Sequence, residues 1–364
     1  MDFNMYPKID LNIVDEKTTR YKRTHNTAIA ETENQLNSLY GGYRVILCNS
    51  GQEATATALD LIQPQTVIVD DETYFETRDW INYRKIKMVQ LPDLNNLKKL
   101  EKALLRAKKP CVVCGDSPTT FGVWKNVKEI SALAHRYGAY VMMDNSIVSL
   151  YYSNPIKDGA DICVESYTKY VCGYGDVMAG GICLNKSMEW LKDKVVPLSN
   201  PGQDSIAWIT AHRGNHVSPT KAYMVSRGLQ TLETRMRRHT ESATLIYETL
   251  KEAKVDCAYS GKGGLITLHG LGEEFCHRLK RFKVVGTFGC TYSVADFFRS
   301  KERYKQGYCA RLSIGLENPH DLIEDVERAL GIPLVKIFER KQNELIQTNE
   351  HFGNTCLNHW RDIW

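Results

Sequence analysis

The sequence predicts an α/β protein whose central sheet is mostly parallel. Apolar, strand-like runs alternate with helix-like segments from about residue 31; these runs are RVILC, TVIVDD, CVVCGD, AYVMMDN and DICVES. Short polar sequences directly follow the strand-like runs: SGQE, DETY, DSPTT, DNS and SYTK. Alternating strands and helices form parallel sheets that are covered on both faces, and such sheets bind ligands at the carboxyl ends of their strands. We therefore expect the functional residues in these polar sequences.

The helix-like segments follow one another in a regular order. Helices are expected near residues 31–40, at EATATALDLI, near 94–107 and at NVKEISALAHRYG, and a further strand is expected at GGICLN. A long helix over about 219–252 leads to a smaller α+β part, which ends with strand ARLSIGL and helix PHDLIEDVERAL. Asn318, Pro319 and Asp321 favour the start of this last helix, because they supply a cap, a first-turn proline and a first-turn acid.

This order predicts four parts of the chain. They are an N-terminal arm at 1–30, a large domain at 31–218, a linker helix with a smaller domain at 219–332, and an extra C-terminal tail at 333–364.

The composition is that of an ordinary soluble globular protein. Of the 364 residues, 43% are hydrophobic and 25% are charged, and the formal net charge is only +4. The sequence thus gives no reason to expect a nucleic-acid partner. The first residues lack the apolar core of a signal peptide, and no apolar run reaches membrane-spanning length. Eleven cysteines without framework spacing indicate reduced thiols, and we expect a cytoplasmic protein without a membrane partner.

No metal site is expected. Cys111 and Cys114 form a CxxC pair, but on an extended run their side chains point to opposite faces of a strand. No second pair follows them. His212 and His216 can share a helix face, yet no acidic partner completes a zinc motif.

The segment with the most chemistry is ESYTKYVCGYGDVMAGG, residues 165–181. Lys169 lies there in a polar, glycine-rich turn between two apolar runs, beside Ser166 and Thr168. An amine at a strand end can form a Schiff base with a carbonyl group, and neighbouring hydroxyls can bind an anion. A single loop lysine is more often simply solvated, so the surrounding sequence must decide.

This segment resembles the cofactor-lysine segment of the Cys/Met-metabolism family of pyridoxal 5'-phosphate (PLP) enzymes. The family includes the cystathionine γ-synthases, the cystathionine γ-lyases and the methionine γ-lyases. The similarity runs in order from Tyr21 to about Leu330 and includes the helix-like SPTKAYMVSRGLQTLETRMRRH. It implies PLP-dependent fold type I, the aspartate-aminotransferase-like fold, with a mostly parallel sheet in the large domain and a smaller C-terminal α+β domain. It also implies that Lys169 is catalytic and holds PLP.

The resemblance implies where the phosphate of PLP binds. Ser50, Gly51 and Gln52 match a turn whose backbone amides open a helix under that phosphate. Ser166 and Thr168 match hydroxyls that bind the same group.

Four further residues match cofactor positions of the family. Tyr74 matches the tyrosine that stacks on the pyridine ring and moves protons, and Asp144 matches the acid that keeps the ring nitrogen protonated. Tyr21 and Arg23 match a Tyr-x-Arg that reaches the phosphate of a neighbouring subunit's cofactor. A homodimer or homotetramer with shared active sites is therefore implied.

The substrate side resembles the family less closely. Arg311 matches the arginine that binds the substrate α-carboxylate, a task that suits a planar bidentate donor. Thr287 lies in GTFGC, which resembles the Glu-Ser-Leu-Gly-Gly segment beside that carboxylate but lacks its glutamate. Asp116 stands where the family has Glu, and Thr120 stands where it has Asn.

The clearest departure lies beside the stacking tyrosine. The family's Tyr-Gly-Gly-Thr is here Tyr74-Phe75-Glu76-Thr77, so a ring and the Glu76 carboxylate are expected near the substrate side chain. Glu76 can alternatively face outward and pair with Arg78 or Arg84.

The resemblance implies PLP-dependent γ-elimination or γ-replacement on an amino acid with a leaving group at Cγ. The changed substrate side favours an unusual or specialised-metabolite substrate. β-Elimination of a cysteine-type thioether remains open. A PLP-binding, non-catalytic paralogue also remains open, although the joint presence of Lys169, Asp144 and Arg311 argues against it.

Overall fold

The computed structural model describes residues 14–15, 20–21, 26–193, 216–299 and 307–351, with side chains over 26–191, 216–299 and 307–344. The chain divides into two compact units, Met1–Thr234 and Arg235–Trp364. The predicted boundary was at 218/219, at the start of the expected linker helix. The observed boundary instead falls inside that region.

A seven-stranded sheet forms the centre of the first unit. Its strands are β3 (Arg44–Cys48), β4 (Thr66–Asp70), β5 (Lys87–Leu91), β6 (Cys111–Asp116), β7 (Tyr140–Asp144), β8 (Ile162–Glu165) and β9 (Gly180–Leu184). They lie in the order β3-β9-β8-β7-β6-β4-β5, and β9 alone in this sheet runs against its neighbours. The prediction of a mostly parallel sheet is confirmed. A short antiparallel pair, β1 (Val14–Asp15) and β2 (Arg20–Tyr21), precedes it.

Helices connect these strands. They are α1 (Thr27–Tyr40), α2 (Gly51–Ile62), α3 (Phe75–Tyr83), α4 (Leu97–Leu105), α5 (Val127–Arg136), α6 (Ser149–Tyr152), a 3₁₀ helix (Lys186–Asp193) and α7 (Pro219–Gln230). The sheet buries both faces: Val67 and Val69 pack in a cluster with α2, whereas Ile68 packs in a cluster with α4 and α5. Cys111 and Cys114 belong to different clusters, which confirms that they point to opposite faces.

The long helix predicted over about 219–252 is interrupted. The structure has α7 and then α8 (Leu232–Glu252), with Thr231 between them. The backbone N–H of Thr231 donates to the carbonyl of Gly228 at 3.3 Å, a tightened last turn that ends α7. Gly228 itself packs tightly, since an added Cβ would lie 2.3 Å from the carbonyl oxygen of Val171.

The second unit contains a five-stranded sheet. Its strands lie in the order β10 (Cys257–Tyr259), β11 (Leu265–His269), β14 (Cys309–Ser313), β13 (Val294–Phe298) and β12 (Lys283–Val284). Besides α8, its helices are α9 (Glu273–Arg278), α10 (Pro319–Leu330) and α11 (Val335–His351). The Asn318 side chain accepts from the backbone N–H of His320, so the predicted start of α10 is confirmed.

The segment after residue 332 was predicted to be an extra tail, but its first residues pack in the second unit. Leu334 and Phe338 are fully buried in the core of the second unit. The start of α11 is therefore part of that core.

Over the part of the chain that the structure describes, no helix combines the length and apolarity needed to cross a membrane. The ten cysteines whose side chains are described are buried thiols.

Candidate active site

Four neighbouring strands of the first unit end in an acid. Asp70, Asp116, Asp144 and Glu165 are the last residues of β4, β6, β7 and β8, which run in parallel. Asp116 and Asp144 are register partners, and neighbouring strands lie about 4.8 Å apart. The carboxyl edge of the sheet therefore gathers acidic groups, together with the polar loops that follow these strands.

The structure brings Lys169 close to Asp144. Burial raises the pKa of the Asp144 carboxyl, and hydrogen bonds from Ser146 and the positive charge of Lys169 act against this rise. The Ser146 backbone N–H donates to Asp144 Oδ1 at 2.8 Å. A loop lysine and an acid at a strand end thus share one edge of the sheet.

Lys169 lies in a turn that is stabilised by backbone hydrogen bonds. Its N–H donates to the carbonyl of Ser166 at 3.1 Å, and its carbonyl accepts from Gly173 at 2.8 Å. Thr168 closes the loop, because its hydroxyl donates to the Ala179 carbonyl and accepts from the Ala179 N–H, both at 3.0 Å. The hydroxyl proton of Thr168 is therefore used within the protein, and its role toward a phosphate stays a prediction. Ser166 is the hydroxyl better suited to that task.

The start of α2 lies against the lysine loop. An added Cβ at Gly51 would lie 2.7 Å from the Cβ of Ser166, and one at Gly180 would lie 2.3 Å from the carbonyl oxygen of Ser50. Ser50 caps α2, since its hydroxyl accepts from the N–H of Glu53 at 3.0 Å. Glycine permits this close backbone approach, and the first amides of a helix suit an anion.

Tyr74 precedes α3 at the same edge. Its backbone N–H donates to Asp116 Oδ2 at 3.1 Å. The side chains of Tyr74 and Phe75 are 42% and 55% exposed, and their ring centroids lie 4.9 Å apart. Helix α3 therefore presents two accessible aromatic rings where the sequence predicted the substrate side.

Glu76 is held by its backbone. Gln52 Nε2 donates to the Glu76 carbonyl at 3.2 Å, so the starts of α2 and α3 are linked. The alternative partners have other contacts: Arg78 donates to the Asp71 carbonyl at 3.2 Å, and Arg84 pairs with Asp60 at 3.1 Å. Neither contact involves the Glu76 carboxylate.

Two predicted residues lie outside the described side chains, and two belong to the second unit. The side chain of Tyr21 and the whole of Arg23 lie outside the described residues. Arg311 and Thr287 belong to the second unit, where Arg311 Nη2 donates to Asp296 at 2.9 Å and the guanidinium carbon lies 5.2 Å from the centre of the Phe288 ring. The roles implied for these four residues stay predictions.

Sequence reasoning missed the acid of β8. Glu165 is 1% exposed and accepts hydrogen bonds from Tyr40 and, at 3.4 Å, from Asn145 Nδ2. Burial raises the pKa of Glu165 to about 8. The signal was present in the sequence, since four of the five strand-like runs first noted contain an acid at or next to their end.

One cluster of possible metal ligands lies on the second unit. Ligand atoms of His320, Asp321 and Glu324 lie within 4.8 Å of one another. These groups already form ion pairs: His320 with Glu324 and Glu339, and Asp321 with Arg281. The cluster is accounted for by these contacts.

Comparison with known proteins identifies the family. The sequence model of the Cys/Met metabolism PLP-dependent enzymes matches residues 5–261. The chain belongs to this family. It is therefore a PLP-dependent enzyme, and its fold is that of PLP fold type I.

Individual relatives agree over most of their length. The chain is 27% identical to an L-methionine γ-lyase of Pseudomonas deceptionensis over 85% of this chain and 84% of the relative. It is 27% identical to a cystathionine β-lyase of Lactococcus lactis over 86% and 89%. The crystal structure of a cystathionine γ-lyase from Micromonospora echinospora covers 90% of this chain and 94% of its own, with 25% identity and a TM-score of 0.78.

The residues at the sheet edge fit PLP. The start of α2 beside Ser166 suits the phosphate, because Gly51 permits close approach of the two loops and the first amides of a helix are free to bind an anion. Asp144 offers a partly buried carboxyl for the ring nitrogen, and Lys169 lies near enough to influence its pKa. All of these groups belong to the first unit.

Proposed function

We propose that this enzyme catalyses γ-elimination or γ-replacement on an amino acid that carries a leaving group at Cγ. The observation that carries the proposal is the placement of Lys169 beside Asp144 at the carboxyl edge of the sheet. Helix α2 begins at the same edge, and Tyr74 lies there at the start of α3. The relatives named as methionine and cystathionine γ-lyases support the γ position.

Each residue has a proposed task in this reaction. PLP, when bound, supplies an electron sink for the substrate's Cα. The Lys169 amine holds the cofactor and then removes the Cα proton. Asp144 holds the proton on the ring nitrogen, and Ser166 with the first amides of α2 binds the phosphate. After a Cβ proton has also been removed, the phenol of Tyr74 gives a proton to the departing γ group.

The substrate side supports an unusual substrate. Phe75 and Glu76 replace two glycines of the family pattern, and Phe75 is more than half exposed beside Tyr74. Bulk and charge at this place restrict the distal part of the substrate. Arg311 and Thr287 remain the proposed partners of the α-carboxylate, on the resemblance alone.

β-Elimination is the second candidate. It is favoured by the cystathionine β-lyase of Lactococcus lactis, which matches over 86% of this chain at the same identity as the γ-lyase relative. Because both reactions begin with removal of the Cα proton, Lys169 has the same task in each.

The attachment of the cofactor tests the proposed lysine. We expect purified protein to absorb in the visible after incubation with PLP, and borohydride to fix one pyridoxyl group on Lys169, located by peptide mass spectrometry. Lys169→Ala should lose this label and at least ~10²-fold in turnover, because the base is removed. Lys169→Arg is the matched control, since it keeps the positive charge near Asp144 but cannot form the covalent bond. Labelling of another lysine in the wild type would refute the assignment.

The substrate class requires a product analysis. O-acylhomoserines, cystathionine, methionine, cysteine and γ-halo amino acids should be supplied separately, and the products identified by mass. Products that have lost a γ substituent support the proposal, whereas pyruvate from cysteine or cystathionine would favour β-elimination. A PLP-binding but non-catalytic protein would yield no keto acid, ammonia or exchanged product from any of these compounds.

The assembly also stays a prediction. Tyr21 and Arg23 are proposed to complete the phosphate site of a neighbouring subunit, which requires a homodimer or homotetramer.

A further inference from the structure

Asp116 is a buried acid to which the proposed chemistry gives no task. It ends β6 and is the register partner of Asp144, which ends β7. Paired residues on neighbouring strands project to the same side of a sheet. Both carboxyl groups therefore lie at one point of the carboxyl edge, and Asp116 is only 8% exposed there.

A hydrogen bond connects Asp116 to the start of α3. The backbone N–H of Tyr74 lies 3.1 Å from Asp116 Oδ2 and 3.4 Å from Oδ1. The N-cap position of α3 has no side-chain cap, so Asp116 supplies an acceptor for a backbone donor at this helix start. The position of the Tyr74 backbone thus depends on Asp116.

Acids surround Asp116 on its own and both neighbouring strands. Asp144 lies beside it from β7, the Cys114 thiol precedes it on β6, and the charge of Asp70 acts on it from the end of β4. Burial raises the pKa of Asp116 well above its usual range, and the charge of Asp144 raises it further. The hydrogen bond from Tyr74 acts in the opposite direction without cancelling these effects.

The cations near this edge are engaged with other acids. Lys125 bonds to Asp70 at 2.7 Å and to Asp93 at 3.0 Å, with its side chain fully buried. Lys169 acts on Asp144. An ionised Asp116 would therefore place a second negative charge beside Asp144. The hydrogen bond from Tyr74 and the charge of Lys125, which also serves Asp70 and Asp93, oppose this cost.

We propose that Asp116 is a neutral positioning residue of the cofactor site. It fixes the Tyr74 backbone by hydrogen bonding, and of the two neighbouring carboxyl groups it leaves only that of Asp144 charged. A protonated carboxyl group keeps an acceptor oxygen for the Tyr74 amide, so it performs both tasks. The proposal rests on the proposed function in one respect, namely that Asp144 faces the ring nitrogen of PLP.

Asp116→Asn separates charge from hydrogen bonding, because the amide oxygen still accepts from Tyr74 and the group cannot ionise. At pH 7 we expect this variant to bind PLP within roughly twofold of the wild type, measured by fluorescence titration, with the same visible absorbance band. Asp116→Ala removes the acceptor and should weaken PLP binding about tenfold. Asp116→Glu should restore part of this loss, because it returns a carboxyl oxygen that can accept from the Tyr74 amide.

The pH dependence of stability of the PLP-free proteins tests whether the Asp116 carboxyl is protonated. An acid with a raised folded-state pKa contributes its full stability below the unfolded pKa and loses it as pH rises towards the folded pKa. Wild-type protein should therefore lose thermal stability relative to Asp116→Asn as the pH is raised from 6 to 10. Asp79→Asn, an exposed change on α3, is the matched control and should follow the wild type.

Two results would overturn the proposal. One is a loss of PLP affinity in Asp116→Asn at pH 7 as large as that in Asp144→Asn, which would show that the charge on Asp116 is needed. The other is an identical pH dependence of stability in the wild type and Asp116→Asn. Failure of the proposed function would look different, because Asp144→Asn would then leave PLP binding unchanged.

Discussion

Helices α2 and α3 start at the same edge of the sheet, but their first turns are built differently. The start of α2 is capped by Ser50 and packed so closely that an added Cβ at Gly51 would lie 2.7 Å from Ser166. The N-cap position of α3 has no side-chain cap, and Tyr74 and Phe75 stand exposed on it. One helix start is fixed by backbone contacts, and the other presents side chains.

This difference indicates where the protein can change. A backbone-lined site accepts few substitutions, because a side chain added there must displace main-chain atoms. An exposed helix start accepts many, since its side chains have few neighbours to displace. The proposed phosphate site belongs to the first kind, and the proposed substrate side belongs to the second. The retained and altered parts of the family pattern follow the same division.

The largest expected effect comes from breaking the close packing at α2. In Gly180→Ala the new Cβ would lie 2.3 Å from the carbonyl oxygen of Ser50 and 2.7 Å from the amide nitrogen of Gly51. Because both atoms are main chain, the start of α2 must move. We expect a loss of about 3 kcal/mol in the free energy of unfolding, measured by urea denaturation, together with weaker PLP binding.

Gly286→Ala is the control for this change. Its added Cβ would meet only Asp296 Oδ2 within 4.0 Å, on an exposed turn. The control should change the free energy of unfolding by less than about 0.5 kcal/mol. If both variants were equally stable, backbone packing would not distinguish the two helix starts.

The sequence predicted regular elements best where local signals agree. Strand β6 and helix α10 have the residues predicted for them, because CVVCGD is a short apolar run and PHDLIEDVERAL begins with a cap and a proline. Helix α3 was missed because its start lacks such a cap. The break at Thr231 was missed because it depends on the packing of Gly228 against Val171, which are distant in sequence.

The site shows the same limit. The placement of Lys169 and Asp144 at one edge follows from the positions of both residues after predicted strands. The contact of Tyr74 with Asp116 could not be predicted, since it depends on the register of β4, β6 and β7 and on where the loop after β4 turns. Similarly, the use of the Thr168 hydroxyl by Ala179 depends on the path of a loop.

The second largest effect on stability is expected at Glu165, the last residue of β8, which directly precedes the lysine loop. Its folded-state pKa of about 8 is above the ordinary value, because the carboxyl is buried. The stability associated with its protonated form is complete below pH ~4.3, the unfolded value, and is lost as pH rises through about 8. Between pH 6 and pH 8 the wild type should therefore lose about 2 kcal/mol relative to Glu165→Gln in urea denaturation.

Glu101→Gln is the matched control for this prediction. Glu101 also accepts from a tyrosine, since Tyr137 Oη donates to it at 2.7 Å, but the pair is only partly buried. The control should follow the wild type across the same pH range. Parallel curves for the wild type and Glu165→Gln would show that the carboxyl is ionised and that the region tolerates a buried charge.

The smallest effect on stability is expected at the exposed start of α3. Glu76→Gln keeps the backbone carbonyl that accepts from Gln52, so the link between α2 and α3 remains. We expect PLP absorbance and Cα-proton exchange, followed by NMR in deuterated water, to be unchanged. Loss of the γ group should fall at least ~10-fold, about 1.4 kcal/mol of transition-state stabilisation, because the proposed carboxylate acts on the distal part of the substrate. Asp79→Asn, three residues further along the same helix and exposed, controls for a general loss of negative charge.

Equal turnover of wild type and Glu76→Gln would place this carboxylate at the surface. An equal fall in exchange and elimination would instead show that the two helix starts are not independent.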